Sequence, residues 1–104
     1  MIKNYVVITG YESKRLRFEQ ALKVFTNGFE ATGYAVCHFK DEIDEARKSG
    51  EKVANICDFC DLEGGTGNIW SYDVMEGNTK KVRFTSFIKI LFVEEDETEK
   101  TAQN

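Results

Sequence analysis

The chain has 104 residues, of which 41% are apolar, 31% charged and 12% aromatic, with a formal net charge of −4. This length fits one domain with a hydrophobic core, and the acidic balance argues against bulk electrostatic attraction to DNA or to anionic membranes. No apolar run is long enough to span a bilayer, and residues 1–4 lead directly into a strand pattern without a signal peptide, so we expect a cytoplasmic protein.

The N-terminal third of the chain is predicted to form a strand and a helix. Residues 2–9 carry apolar side chains on both faces, which is typical of an interior strand. A helix over about residues 14–27, capped by Ser13, is predicted from side chains at helical spacing: Phe18, Leu22, Phe25 and Phe29. The pair Asn27-Gly28 favours an end there, with an end at Gly33 as the alternative.

The middle of the chain contains the most ambiguous segment. Residues 34–40 alternate and are predicted to form a second strand. Residues 41–62 are predicted to form one interrupted helix or two short helices, with Asp41 as the N-cap. A strand over residues 53–59 is the competing prediction, and this choice determines how the nearby cysteines are placed.

The longest alternating pattern lies at residues 80–95, where the side chains from Val82 onward separate into two faces and both faces become apolar after Lys89. This indicates a strand in the centre of its sheet. Residues 69–75 also alternate and are predicted to form a hairpin with it, after a flexible glycine-rich loop at residues 63–67. A three-residue hairpin loop at 77–79 places Trp70 opposite Ser86.

Together these elements predict an α+β fold with two layers, in the order β-α-β-α-β-β. The sheet is expected to have about four strands, mixed or antiparallel, with the helices on one face. We expect residues 1–93 to form one compact domain. Residues 94–104 lose all large apolar side chains and are predicted to be a disordered acidic tail.

Three cysteines raise the question of a metal site. Cys57 and Cys60 form a CxxC pair, and thiolates at this spacing can bind one zinc ion together with Cys37 or His38. Cys37 and His38 are adjacent on a predicted strand and therefore point to opposite faces. The alternative interpretation, in which the cysteines are small buried thiols without metal, is the one that we favour.

No cofactor site or catalytic set is recognised. The opening YVVITG resembles the first strand of dinucleotide-binding domains, but the glycines that bring the backbone close to a pyrophosphate are absent. His38 is the single histidine, and no motif supplies it with a nucleophile and an orienting acid. We therefore expect no cofactor and a binding function rather than catalysis.

Basic residues cluster twice, on the predicted first helix and on the last hairpin. The nucleic-acid candidates are Arg15, Arg17, Lys80, Lys81 and Arg83. Interleaved with aromatic side chains on a sheet, such residues are typical of single-strand binding. The predicted register instead assigns Trp70 and Tyr72 to the core, and exposed strand lysines also protect sheet edges. A nucleic-acid-binding domain is therefore the second hypothesis.

The leading hypothesis is a small protein–protein interaction module that acts as a regulator or inhibitor and has no membrane partner. Short acidic chains of this kind are often accessory proteins of phages or mobile elements. The contact candidates are acidic residues of the segment DEIDE together with loop and turn residues: Glu42, Asp44, Glu45, Gly65, Thr66, Asn68 and Asn78. The acidic residues are also compatible with an ordinary solvated helix face.

Overall fold

The computed structural model describes residues 2–95 and contains one antiparallel sheet of five strands in the order β2-β1-β5-β4-β3. A single long helix packs on one face of this sheet. In chain order the elements are β1 (Ile2–Glu12), β2 (Arg17–Phe25), α1 (Gly28–Lys48), β3 (Val53–Asp61), a 3₁₀ turn (Glu63–Gly65), β4 (Gly67–Met75) and β5 (Val82–Glu95). The predicted α+β class is confirmed, whereas the predicted strand number and element order are not.

The helix predicted over residues 14–27 is wrong, because this segment forms strand β2. The pairing with β1 shifts so that Val7 lies opposite Lys23 and Ile8 opposite Ala21, which makes Leu22 the extra residue of a β-bulge. The bulge changes the alternation of the strand. Phe18 and Phe25 would lie on opposite faces of a regular strand, but with the bulge both lie on the face toward α1. The apolar residues of this strand therefore have the sequence spacing of a helix.

The strand predicted over residues 34–40 is also wrong, because it lies within α1. The side chains that α1 buries against the sheet recur at every fourth position: Ala31, Ala35, Phe39 and Ile43. Asn27, predicted to end a helix, is instead the N-cap of α1, and Asp41, predicted to begin one, lies inside it. The alternation at residues 34–40 was too short to distinguish a strand from the stripe of an amphipathic helix.

The competing prediction of a strand over residues 53–59 is confirmed by β3. Its pairing with β4 is irregular on both sides of Cys57, and Asn55 and Phe59 have positive φ values of 52° and 57°. These irregularities disturb the period of two. They explain why the apolar residues of this strand follow a helix-like spacing in the sequence.

The central position predicted for the last strand is confirmed, because β5 lies between β1 and β4. Trp70 lies opposite Ile88 rather than Ser86, since the hairpin loop is longer than predicted and the Glu76 N–H donates to the Lys81 carbonyl at 2.8 Å. The register differs by two residues, which is one full period of a strand. The side chains of β4 therefore remain on the predicted faces.

The core lies between α1 and the sheet. Its fully buried members on the sheet include Val7, Trp70, Val74, Ile88 and Ile90. The pairing of β5 with β1 continues to Glu95, so the first two residues of the predicted tail belong to the strand. The rest of that predicted tail lies outside the described residues.

Candidate interaction surfaces

The carboxylate of Glu42 lies between α1 and the sheet, next to the single histidine of the sequence. The Ser86 hydroxyl donates to Glu42 Oε1 at 3.2 Å, and His38 Nε2 lies 3.3 Å from Glu42 Oε2. Burial raises the pKa of Glu42 above its ordinary value, while the attraction of His38 acts in the opposite direction. Because Glu42 separates His38 from Ser86, the imidazole is not placed to activate the hydroxyl. The hydrogen bond between Ser86 and Glu42 connects α1 to β5.

The predicted acidic contact residues therefore have different environments. Glu42 is engaged with Ser86 and His38, and it lines a shallow hollow of about 450 Å³ together with Glu45, Glu51 and Tyr72. Burial also raises the pKa of Tyr72. Asp44 and Glu45 are exposed on α1. These two residues are compatible with the solvated helix face that the sequence analysis left open.

The predicted loop contacts do not form one surface. Thr66 is held at the start of β4, where its carbonyl accepts from the Phe92 N–H at 2.9 Å, and Gly65 precedes it in the 3₁₀ turn. Asn68 donates to Asp61 Oδ1 at 3.1 Å. Asn78 lies in the β4–β5 hairpin turn, at the opposite end of β4. These residues therefore belong to two separate ends of the molecule.

The cysteines do not assemble into the candidate metal site, and the favoured prediction of small buried thiols is also wrong, because two of them form a disulfide and the third is exposed. Cys57 and Cys60 form a disulfide on β3, on the sheet face away from α1, whereas Cys37 is exposed on α1 itself. The sheet thus separates Cys37 from the other two sulfur atoms. Across residues 2–95 there is no cluster of three or more His, Cys, Asp or Glu side chains suited to a metal ion.

Of the five predicted nucleic-acid residues, two are engaged in ion pairs within the chain. Arg17 pairs with Glu12 at 2.9 Å and with Glu19 at 2.6 Å, so its charge is neutralised locally. Arg83 pairs with Glu51 at 3.0 Å. The remaining candidates, Arg15, Lys80 and Lys81, are exposed and have no ion-pair partner within the described chain.

These basic residues share one end of the sheet with exposed aromatic rings. The turn at residues 13–16 joins β1 to β2, and it lies beside the first residues of β5 because Glu12 pairs with Thr85. Tyr11 stacks on Phe18 with ring centroids 5.5 Å apart and meets Phe84 edge-on at 6.2 Å. Sequence analysis missed this aromatic group, because it assigned Phe18 to a helix and Phe84 to the core.

The second surface is the sheet face opposite α1, which we call the open face. Within residues 2–95 no helix or strand covers it. The register places aliphatic side chains from four neighbouring strands on one half of this face, and we call them the open-face patch: Val6, Ile8, Val24, Ile69, Leu91 and Val93. Val24 is 57% exposed and Val93 is 39% exposed, while the others are half-buried.

An ion-pair cluster occupies the other half of the open face, where Phe87 is only 5% exposed. The Arg17 guanidinium and the Lys89 ammonium group each lie 5.5 Å from the centroid of the Phe87 ring. Glu19 bridges the two cations, at 2.8 Å from Lys89 and 2.6 Å from Arg17. These bonds, that to Lys89 foremost, lower the pKa of Glu19. This half of the face therefore has its charges paired within the chain.

Comparisons with protein-family models, with curated protein sequences and with solved structures gave no match. Among the residues that the structure describes, no helix combines the length and the apolar character required to cross a membrane.

Proposed function

We propose that this protein is a non-enzymatic protein-binding module, a regulator or inhibitor of a larger assembly, that contacts its partner through the open face of its sheet. The observation that carries the proposal is the open-face patch. Antiparallel sheets with a solvated face normally present polar side chains there. Here aliphatic side chains of the neighbouring strands β1 and β5, above all Val6 and Leu91, lie side by side on the open face, which no helix or strand covers within residues 2–95.

Burial of the patch supplies the favourable energy of association. A Val, Leu or Ile side chain that becomes fully buried contributes about 1.5–3 kcal/mol, and the half-buried members contribute less. The adjacent cluster of Arg17, Glu19 and Lys89 is already paired within the chain. A partner can therefore cover the patch without burying an unpaired charge, which is the usual penalty of charged interfaces.

The dimensions of the patch favour an amphipathic helix as the partner element. The patch crosses β2, β1, β5 and β4, which are neighbours in the sheet, and strands about 4.8 Å apart give it a width of about 15 Å. A helix with its side chains is about 10–12 Å across. Such a helix would complete a third layer, as α1 forms the second. Strand addition at the β3 edge is less favourable, because Asn55 and Phe59 interrupt it.

Site-specific photo-cross-linking in the natural host tests the proposal. A photoreactive side chain replaces Val24 or Val93 in separate variants, since both positions are exposed and tolerate it. The matched control carries the same group at Lys40, which is exposed on α1. We expect one discrete protein adduct from each open-face position and none from position 40.

The cross-linked segment then identifies the mode of binding. A synthetic peptide of that segment should bind the purified protein and become helical by circular dichroism. The double variant Val24→Glu, Val93→Glu should weaken this binding at least about tenfold, since both glutamates must be desolvated. Lys40→Glu should leave it unchanged. A peptide that binds as an extended strand along β2, or adducts from all three positions alike, would contradict the proposal.

A further inference from the structure

One end of the molecule combines unpaired positive charge with exposed rings, and it is separate from the open-face patch. We call it the basic tip and define it by Lys14, Arg15, Lys80, Lys81 and the aromatic group Tyr11, Phe18 and Phe84. The four basic side chains are exposed and have no ion-pair partner among residues 2–95. They come from two turns that are distant in the sequence and adjacent in the fold.

The two turns are held together by backbone pairing. β1 and β5 remain paired up to Glu12 and Thr85, so both strands reach the same edge of the sheet. A hollow of about 350 Å³ lies there, lined by Tyr11, Ser13, Arg83 and Phe84. Lys52 is a further exposed cation at this end of the sheet. Its carbonyl accepts from the Met75 N–H at 2.9 Å, which places it at the base of the β4–β5 hairpin.

The aromatic rings at the tip remain accessible. Tyr11 is 37% exposed and Phe18 is 44% exposed, although the two rings stack on each other. Leu16, between them in the turn, is 56% exposed. A ligand that stacks on one of these rings costs little side-chain entropy, because each ring is already held in place by its neighbour.

We propose that the basic tip binds single-stranded nucleic acid, with Lys14, Arg15, Lys80 and Lys81 on the phosphates and with bases stacked on Phe18 and Tyr11. Cations along a backbone path and aromatic platforms for the bases are the two components of sequence-tolerant single-strand recognition. The hollow beside Tyr11 and Phe84 has a volume within the range of small-molecule sites. The overall charge of −4 limits bulk attraction to any nucleic acid, so the local cluster of cations has to supply it. Duplex DNA is disfavoured because its bases are not available for stacking.

Fluorescence anisotropy with a labelled oligothymidylate of about 16 nucleotides, the upper end of typical site sizes, tests the proposal. We expect binding at about 50 mM salt that weakens steeply toward about 200 mM. In the triple variant Arg15→Gln, Lys80→Gln, Lys81→Gln, affinity should fall at least about tenfold. The slope of log K against log salt should become shallower by about 2, since each lost single-strand phosphate contact removes about 0.7.

The matched control removes the same charge elsewhere, in the variant Lys3→Gln, Lys23→Gln, Lys40→Gln, and should leave affinity within about twofold of wild type. Phe18→Ala should weaken single-strand binding about tenfold, because it removes a stacking platform. Circular dichroism establishes that each variant is folded, and the charge variants test the proposal even if Phe18→Ala unfolds.

Four results would overturn the inference. The first is no binding to the oligothymidylate at low salt, and the second is an equal loss in the two charge variants. The third is equal affinity for a duplex with no effect of a folded Phe18→Ala, which would indicate phosphate contact alone. Displacement of the oligonucleotide by polyglutamate at equal charge concentration would also count against it, since it would indicate an acidic-peptide site. The sheet-face variant Val24→Glu, Val93→Glu should bind the oligonucleotide normally, which separates this inference from the proposed function.

Discussion

The fold shifts the pKa values of two glutamates in opposite directions. Glu42 lies between α1 and β5, where burial raises its pKa despite the attraction of His38. Glu19 lies on the open face, where Lys89 and Arg17 lower its pKa. A folded-state pKa above the unfolded value means that ionisation destabilises the fold, whereas a lowered pKa means that ionisation stabilises it. The two residues should therefore contribute opposite pH dependences.

Glu42→Gln tests the buried carboxylate. Glutamine retains an oxygen that accepts from Ser86 and removes the charge that burial disfavours. The contribution of Glu42 to stability is present below its ordinary pKa of about 4.3 and is lost as pH rises through the raised folded value. We expect Glu42→Gln to have a Tm a few degrees above wild type at pH 7 and no advantage at pH 4. Thermal unfolding followed by circular dichroism measures this.

Glu19→Gln is the matched control for that measurement. The stabilising effect of ionised Glu19 is present above its ordinary pKa and is lost as pH falls through the lowered folded value. Since the Glu19 side chain is 34% exposed, the variant should lower the Tm only slightly at pH 7 and not at all in strong acid. Parallel pH profiles for the two variants would contradict the opposite environments described for these carboxylates.

At the scale of elements, the start of α1 depends on one side chain. Asn27 Oδ1 accepts from the Phe29 N–H at 2.8 Å and from the Glu30 N–H at 3.1 Å, which satisfies two unpaired donors of the first helical turn. We expect Asn27→Ala to reduce the free energy of unfolding by about 1 kcal/mol. Urea titration should show a lower midpoint with an unchanged slope.

Asn27→Asp and Asn78→Ala are the controls for the cap. Aspartate retains the acceptor and adds a charge that the helix N-terminus favours, so the midpoint should remain near wild type. Asn78 is exposed in the hairpin turn, and its substitution should change stability by less than about 0.5 kcal/mol. Equal losses for Asn27→Ala and Asn78→Ala would show that the cap is not the cause.

At the scale of the whole molecule, the strand order predicts a gradient of local stability. β5 and β1 have paired neighbours on both sides, whereas β2 and β3 are the edges and β3 is interrupted twice. Edge strands leave amides without a partner strand, and these exchange through small openings. Hydrogen exchange followed by mass spectrometry should therefore find β5 and β1 slowest, with β3 fastest among the strands. Protection of β2 equal to that of β5 would contradict an exposed edge.

Much of the C-terminal half was predictable from the sequence. The alternation of residues 82–93 defined both faces of β5, and the alternation around Trp70 defined those of β4. Even a register wrong by two residues preserved these faces, because two is the period of a strand. Three of the four basic residues that reach the tip unpaired, Arg15, Lys80 and Lys81, were also candidates from the sequence. Their grouping with Tyr11 and Phe18 was not, since it required β2 to be a strand.

The sequence by itself indicated the α+β class and determined the central position of β5, because the long alternation of residues 82–93 is a local pattern of apolar residues. Only the tertiary structure decided that residues 17–25 are a strand and residues 28–48 a helix. A bulge at Leu22 gave the strand a helical spacing, and Asn27-Gly28 is equally suited to begin or to end a helix. The uncovered sheet face is also a tertiary property. It depends on how many layers pack against the sheet, and no local pattern encodes that number.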